Sequence, residues 1–253
     1  MKIYRRPATW IMFGFIVVIP IALSLIFYWA IGSRENASNW SVMMVASQFL
    51  LPFITIFTVV KAAESVAGEF TWGTIKLLLI RPWSRSSILL SKYIATILFA
   101  LFFTAVGFVV SLLISIALFG YTGSVSDLSP TFQSPWTFVL AYYGLQFVSL
   151  IVVVTFGFMM SSAFRSNGLA IGLSIVLLLS GNLLTSLFAL ADKPWVKYVM
   201  FLHLDLTSYL NGGHGPVPNQ DTTLGFSLAV LAVYVIIFNL ISWTVFRKRD
   251  VAA

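Results

Sequence analysis

Long apolar runs alternate with short polar pieces along this chain. Six runs are long enough to cross a bilayer: Trp10–Ile31, Ser41–Val60, Ile94–Phe119, Trp136–Met160, Gly168–Leu190 and Leu224–Phe246. A helix of about 20 apolar residues spans a hydrocarbon core of roughly 30 Å. None of the six runs contains Asp, Glu, Lys, Arg or His, and one such residue at mid-helix costs about 2.5–3.5 kcal/mol of insertion free energy. The second run is the shortest and carries Pro52, which predicts a kink. The pattern predicts an all-α polytopic membrane protein, with residues 1–253 forming one transmembrane domain of six spans.

Composition agrees with this pattern. Hydrophobic residues make up 59% of the chain and charged residues 9%, with a mean hydropathy of +0.97. A water-soluble domain carries roughly 25% charged residues, so the apolar excess has to face lipid. The net charge of +7 and pI near 9.8 would also suit a nucleic-acid binder, but the basic residues sit in scattered pieces rather than on one face. No nucleic-acid partner is expected. The chain has no cysteine, which removes disulfides, thiol catalysis and thiolate metal sites together.

The basic residues orient the spans. With the amino terminus inside, Lys2, Arg5, Arg6, Lys61, Lys76, Arg81, Arg85, Lys92, Arg165, Arg247, Lys248 and Arg249 all lie on the cytoplasmic side, twelve of the fifteen. Only Arg34, Lys193 and Lys197 remain outside, together with most of the acidic residues. The positive-inside rule then places both termini in the cytoplasm. The first apolar run has 22 residues, longer than a signal-peptide core of about 7–15, and no small-residue cleavage site follows it. A retained anchor is expected.

Two connections are long. The outer one, Ala191–Thr223, contains a turn-rich run from Asn211 to Pro218. Before that run, Trp195–Leu210 mixes aromatics with Lys197, His203 and Asp205, as in a short helix at the outer interface. The inner one, Lys61–Tyr93, is not a plain polar linker. Gly68 and Gly73 punctuate it, Thr74–Ile80 is an apolar, helix-compatible run, and Pro82 stops that run. Ser84 or Ser86 can cap the next helix. A short helix carrying Lys76 and Arg81 would lie on the inner surface, where one face is available to a soluble partner. The same spacing also suits an ordinary juxtamembrane loop whose basic residues set topology and touch anionic lipid.

At this connection the chain resembles the permease subunits of ATP-binding-cassette exporters of the type-2 family. The pattern is an acidic residue, then Gly-Thr, an apolar run, Pro, a basic residue and a Lys opening the third span. Glu69, Gly73, Thr74, Pro82, Arg85 and Lys92 stand in that order here, with Lys76 inside the apolar run. The resemblance extends to six spans over the whole chain. It implies that Thr74–Ile80 is a coupling helix docking into a cleft on a cytoplasmic ATPase subunit. It also implies that Glu69 braces the base of that helix, while Arg85 and Lys92 hold the next helix at the membrane surface. Met1–Thr9 is shorter than the amphipathic connector of larger relatives and is not expected to form one. The implied partners are an ABC ATPase and a second permease subunit, identical or similar, in a bacterial plasma membrane. The implied cargo is an amphipathic peptide, antibiotic or toxin.

The remaining chemistry is sparse. No G-x-x-x-x-G-K-[ST] phosphate loop occurs, so no cofactor is expected in this chain, and ATP and Mg would belong to the partner ATPase. No catalytic constellation is evident, and an enzyme is not expected. His203 and His214 are the only histidines, with Asp205 the one nearby carboxylate. A metal site would need more ligands, so these histidines are expected to be solvated or interfacial. The Asn36 and Asn39 glycosylation sequons are expected to be chance matches.

Gln48, Gln146, Asn182 and Asn239 are the strongest polar groups in the spans. They either line a path or bond between helices. Spans without titrating groups favour energy supplied from elsewhere over a proton- or ion-coupled secondary carrier. A relay in which an ATPase drives an external protein is the other alternative. Gly168 and Gly172 form G-x-x-x-G, and Gly107, Ser111 and Ser115 form a small-residue stripe. Both suit close helix packing within or between subunits.

Overall fold

The computed structural model describes residues 7–31, 38–74, 84–121, 132, 134–190, 193–211, 215–217 and 221–248. Among these residues the regular secondary structure is entirely helical. Six α-helices follow in order: α1 Pro7–Ile31, α2 Asn39–Thr71, α3 Arg85–Phe119, α4 Pro135–Ala163, α5 Asn167–Leu190 and α6 Leu224–Lys248. Five of them are long and apolar enough to cross a membrane, and in α5 the described stretch Asn167–Gly181 is a shorter apolar helix. Large side chains such as Ile26, Trp29, Val176, Leu183, Ile236 and Leu240 stand exposed on α1, α5 and α6. In water such faces would drive association; in hydrocarbon they are at home. The protein is membrane-embedded and all-α.

The helices overrun the apolar runs, and this corrects the expected boundaries. Residues 61–71 were expected in a connection but complete α2, and residues 85–93 open α3. Hydropathy ends where charge begins, whereas the Lys61-Ala-Ala-Glu-Ser-Val-Ala sequence consists mostly of good helix formers. Thr71 is the last helical residue of α2. Gly73 then takes φ +68, Trp72 N–H bonds back to the Gly68 carbonyl at 2.9 Å, and Gly73 N–H to that of Phe70 at 3.2 Å. A glycine in the left-handed region is a usual way to terminate a helix. Ser84 caps α3, its hydroxyl accepting from Ser87 N–H at 3.1 Å.

The described chain between α5 and α6 is likewise not one surface helix. It forms three short 3₁₀ helices, Pro194–Tyr198, Met200–His203 and Leu206–Asn211. Val196, Met200, Leu202, His203 and Leu206 are buried, so this segment folds inward rather than lying flat.

The chain divides into two compact units. One comprises Met1–Phe57, Leu101–Phe147 and Leu210–Gly212. Within it α1 runs parallel to α3, with Phe13 against Phe103 at 6.5 Å and Tyr28 against Phe119 at 6.0 Å. Gly107 is a close-approach point: a Cβ there would sit 2.8 Å from Leu50 Cδ2 and 3.1 Å from Ile54 Cδ1. Ser111 and Ser115 on the same stripe are fully buried. Ser47 donates to the Met43 carbonyl at 2.7 Å, so the Tyr143 hydroxyl donates to Ser47 at 2.6 Å. Trp40, wholly buried, meets Trp136 edge-on at 5.0 Å.

The other unit comprises Thr58–Ala100, Val148–Tyr209 and Gly213–Ala253. There α4 lies close on α2 at Gly157, where a Cβ would meet the Val59 carbonyl oxygen at 3.2 Å and Ala62 Cβ at 3.4 Å. Ala63, Ala67 and Ala170 form a small buried cluster sealed by Phe164 and Ile171. Tyr93 donates to Thr155 at 2.8 Å and packs on Phe158 at 5.2 Å.

Candidate functional site

The densest polar organisation in the second unit surrounds the last three turns of α2. Lys92, near the start of α3, donates its ammonium to Glu69 Oε1 at 3.0 Å and to the Ser65 carbonyl at 2.6 Å. The two side chains are 19% and 14% exposed, so the pair is largely shielded from solvent. Thr74 donates to the other carboxylate oxygen of Glu69. Glu69 therefore ties the residue just past the Gly73 turn to α3. One turn earlier, Lys61 pairs with Glu64 at 3.3 Å.

Further bonds reach α4 and α5. The Ser161 hydroxyl accepts from both Val66 N–H and Ala67 N–H, at 2.9 Å each. A side chain that takes two successive N–H groups of a neighbouring helix engages its hydrogen-bond ladder directly. Thr71 accepts from Asn167 N–H at 3.0 Å and donates to the Ala67 carbonyl at 3.1 Å. Arg85 donates to the Arg247 carbonyl at 3.4 Å, in the last turn of α6, where a cation complements the helix dipole. Trp72 folds back over Gly68, where a Cβ would lie 2.9 Å from its ring.

These bonds fix both chain ends that flank residues 75–83 to α4, α5 and α6. Among the described residues there is no group of three His, Cys, Asp or Glu able to hold a metal ion.

The structure brings together Glu69, Lys92 and Thr74, with Gly73 as the turn between them. Arg85, at the start of α3, stands apart from them and bonds to α6. Lys76, Pro82 and most of the expected coupling helix Thr74–Ile80 lie outside the described residues, as does the Asn182 side chain. Of the expected packing glycines, Gly107 meets a neighbour, whereas Gly172 has nothing within 4 Å and Gly168 only Ser166 Oγ at 3.9 Å. Asn239 donates to its own helix, at the Val235 carbonyl, 2.9 Å. Gln48 is exposed and Gln146 half-buried. Sequence reasoning missed Ser161, Thr71 and Gly157. One serine, threonine or glycine carries no spacing signal.

His203, expected to be solvated or interfacial, is not solvated. Its side chain is fully buried, because the 3₁₀ segment packs it against α6. Nε2 lies 2.7 Å from the Lys197 carbonyl and Nδ1 2.7 Å from Ser227 Oγ. Burial pushes the imidazole below its ordinary pKa, and the Lys197 carbonyl offsets only part of that shift. Asp205 is engaged elsewhere, accepting from Thr207 N–H at 3.2 Å.

A family model described as "Protein of unknown function (DUF2705)" matches residues 9–252. The chain belongs to that family. It is 39% identical over 230 residues to the uncharacterized protein YhcI of Bacillus subtilis (strain 168), covering 88% of this chain and 72% of YhcI. It is 28% identical over 253 residues to the uncharacterized membrane protein YdbK of the same organism, covering 99% of each. The match therefore runs through both units, and the name of the second relative is in keeping with the apolar helices.

Proposed function

We propose that this chain is the permease subunit of an ATP-binding-cassette exporter. It has six spans, both termini in the cytoplasm of a bacterial cell, and a plasma-membrane location. Two such subunits, identical or similar, pair into a twelve-span body, and a separate ATPase binds the connection between α2 and α3. ATP-driven closure of the ATPases pushes on Thr74–Ile80 and shifts the spans between inward and outward access, as any partner with unequal affinity for two states does. The cargo is an amphipathic peptide, antibiotic or toxin. The chain itself hydrolyses nothing.

The observation that carries this reading is the shielded Glu69–Lys92 pair at 3.0 Å. Both residues belong to the pattern that resembles type-2 exporters. Their pairing joins α2 to α3 at the base of the connection, so a load applied between them reaches both helices together. A lipid-facing loop has no need of such a brace. The uncharged apolar runs support the same reading, since the energy then has to come from a partner.

Affinity purification of the tagged chain from its host in a mild detergent tests the proposal. A polypeptide with a G-x-x-x-x-G-K-[ST] loop is expected to co-purify. Transport by the chain alone in liposomes, with no nucleotide-binding partner in the host preparation, would overturn the reading.

A further inference from the structure

Outside the α2 site, one chain of hydroxyls and a histidine runs through the segment between α5 and α6. A carbonyl oxygen only accepts, so His203 Nε2 carries the proton in its bond to Lys197. In the neutral ring Nδ1 is then an acceptor, and Ser227 donates to it at 2.7 Å. Ser227 Oγ in turn accepts from the Tyr209 hydroxyl at 2.7 Å. Tyr209 accepts from Thr222 at 2.8 Å. Every proton in this series has one direction, fixed by the carbonyl at its end. Gly215, at φ +91, passes so close that a Cβ would lie 2.8 Å from the Tyr209 hydroxyl, which leaves room there only for glycine.

We propose that Thr222, Tyr209, Ser227, His203 and the Lys197 carbonyl form a proton-sensitive latch. It holds residues 193–209 against the start of α6 while the imidazole is neutral, and loosens them when acid charges the ring. Ser227 sits in the first turn of α6 and Thr222 two residues before that helix, and the others belong to the 3₁₀ segment. The latch stands on these contacts alone and is independent of the function proposed above.

Charging the ring turns Nδ1 into a donor. Ser227 must then rotate to accept, Tyr209 must accept from Ser227, and Thr222 from Tyr209. The bonds can all re-form in reverse, but an imidazolium is now enclosed without a counter-ion. Among the charged and titratable groups around it, Lys197 is itself cationic, its ammonium 5.3 Å from the centre of the Tyr198 ring. Lys193 adds like charge on the same segment. The Asp205 carboxylate is held by Thr207, Asp221 precedes α6, and Tyr209 is neutral. No carboxylate among the described residues bonds to the ring, whose other close neighbour is Phe226 at 5.8 Å. On its far side the segment presents Met200, Phe201 and Leu204 to a small apolar cavity with Phe156, Leu177 and Leu178. Loosening the latch would open that cavity.

The sign follows from proton binding. In the open segment the ring titrates at about 6.5, and in the closed one it binds protons less readily. The closed state is therefore favoured above about pH 6.5 and loses ground as pH falls below it, by at most about tenfold at pH 5.5.

The chain lacks cysteine, so Leu206→Cys, at a position 1% exposed, gives a reporter thiol under the latch. Its labelling rate in the full-length protein, divided by that of the denatured protein at the same pH, reads the opening equilibrium. The ratio is expected to rise from pH 7.5 to 5.5, by at most about tenfold. It is expected to stay flat when His203→Gln is added, because the amide donates to Lys197 and accepts from Ser227 without titrating. A flat ratio with His203 present, or an equal rise in the Gln variant, overturns the latch. Should these variants misfold, His214→Gln leaves His203 as the sole imidazole for ring-nitrogen NMR. An Nε2–H tautomer at pH 7.5 and a midpoint below about 6.5 are expected. A midpoint at or above that value overturns the proposal.

Discussion

The Glu69–Lys92 pair sits between the two extremes of ion-pair energetics, and its geometry says where. At 3.0 Å the gross attraction is about 5 kcal/mol at an effective dielectric of about 20. Most of that is returned as desolvation, since the side chains keep only 19% and 14% of their exposure. The net worth is about 1–2 kcal/mol, above an exposed pair at about 0.2–1 and below the 3–5 lost when a fully buried pair is broken. The two single variants are not equivalent. Glu69→Gln leaves Lys92 donating to the Ser65 carbonyl, and the amide oxygen can still accept from it. That change should cost about 1.5 kcal/mol. Lys92→Met strands a shielded carboxylate with the Thr74 hydroxyl and also takes a donor from the Ser65 carbonyl, for about 3 kcal/mol.

The double variant completes a cycle, and a coupling of about 1–2 kcal/mol is expected. Equilibrium unfolding in mixed detergent micelles, followed by helical circular dichroism, measures all four proteins. A coupling under about 0.3 kcal/mol is within additivity error and would mean that the pair is not a brace. Equal costs for the two single variants would refute the asymmetry argued from Ser65.

Two further outcomes follow from α2 and its neighbours. Ser161→Ala removes the acceptor of two N–H groups and should cost about 1–3 kcal/mol, with faster hydrogen exchange confined to Val66 and Ala67. Gly107→Val drives a branched side chain into Leu50 and Ile54 and should lose about 1–3 kcal/mol. Gly172→Ala, in open space, should gain about 0.5–1 kcal/mol of helix propensity. Thermal midpoints in detergent separate the two glycines, and equal losses would contradict the packing described.

All six apolar runs are helical, and in the five that are long and apolar enough to cross a membrane a helix is how the backbone satisfies itself in lipid. What hydropathy does not see is where a helix continues into water. Residues 61–71 are polar enough to end an apolar run and helical enough to extend α2. Glu69 and Lys92 were legible as members of a spaced pattern, because ion pairs draw on rare residue types. Ser161 and Thr71 were not, since serine and threonine occur throughout and only the fold says which backbone groups lie opposite. His203 was misjudged for a related reason. Its partner Ser227 is distant in sequence and individually unremarked, so nothing along the chain signalled a donor for its ring nitrogen.

The polar groups within the apolar runs differ in whether a described partner engages them. Ser47 and Tyr143 bond to one another. Thr55 returns its proton to the Leu51 carbonyl at 2.9 Å, and Asn239 does so with the Val235 carbonyl. Groups so engaged meet lipid at reduced cost. Gln48 differs: it is exposed on α2 beside Phe49, Pro52 and Phe53, with no bond to the described residues. An amide facing hydrocarbon forfeits several kcal/mol for each unsatisfied group. The proposed pairing of two subunits would resolve this, because the face around Gln48 could then border the second subunit or a water-filled path. A lone subunit in lipid leaves the amide stranded, so the cost of Gln48 counts in favour of the paired arrangement.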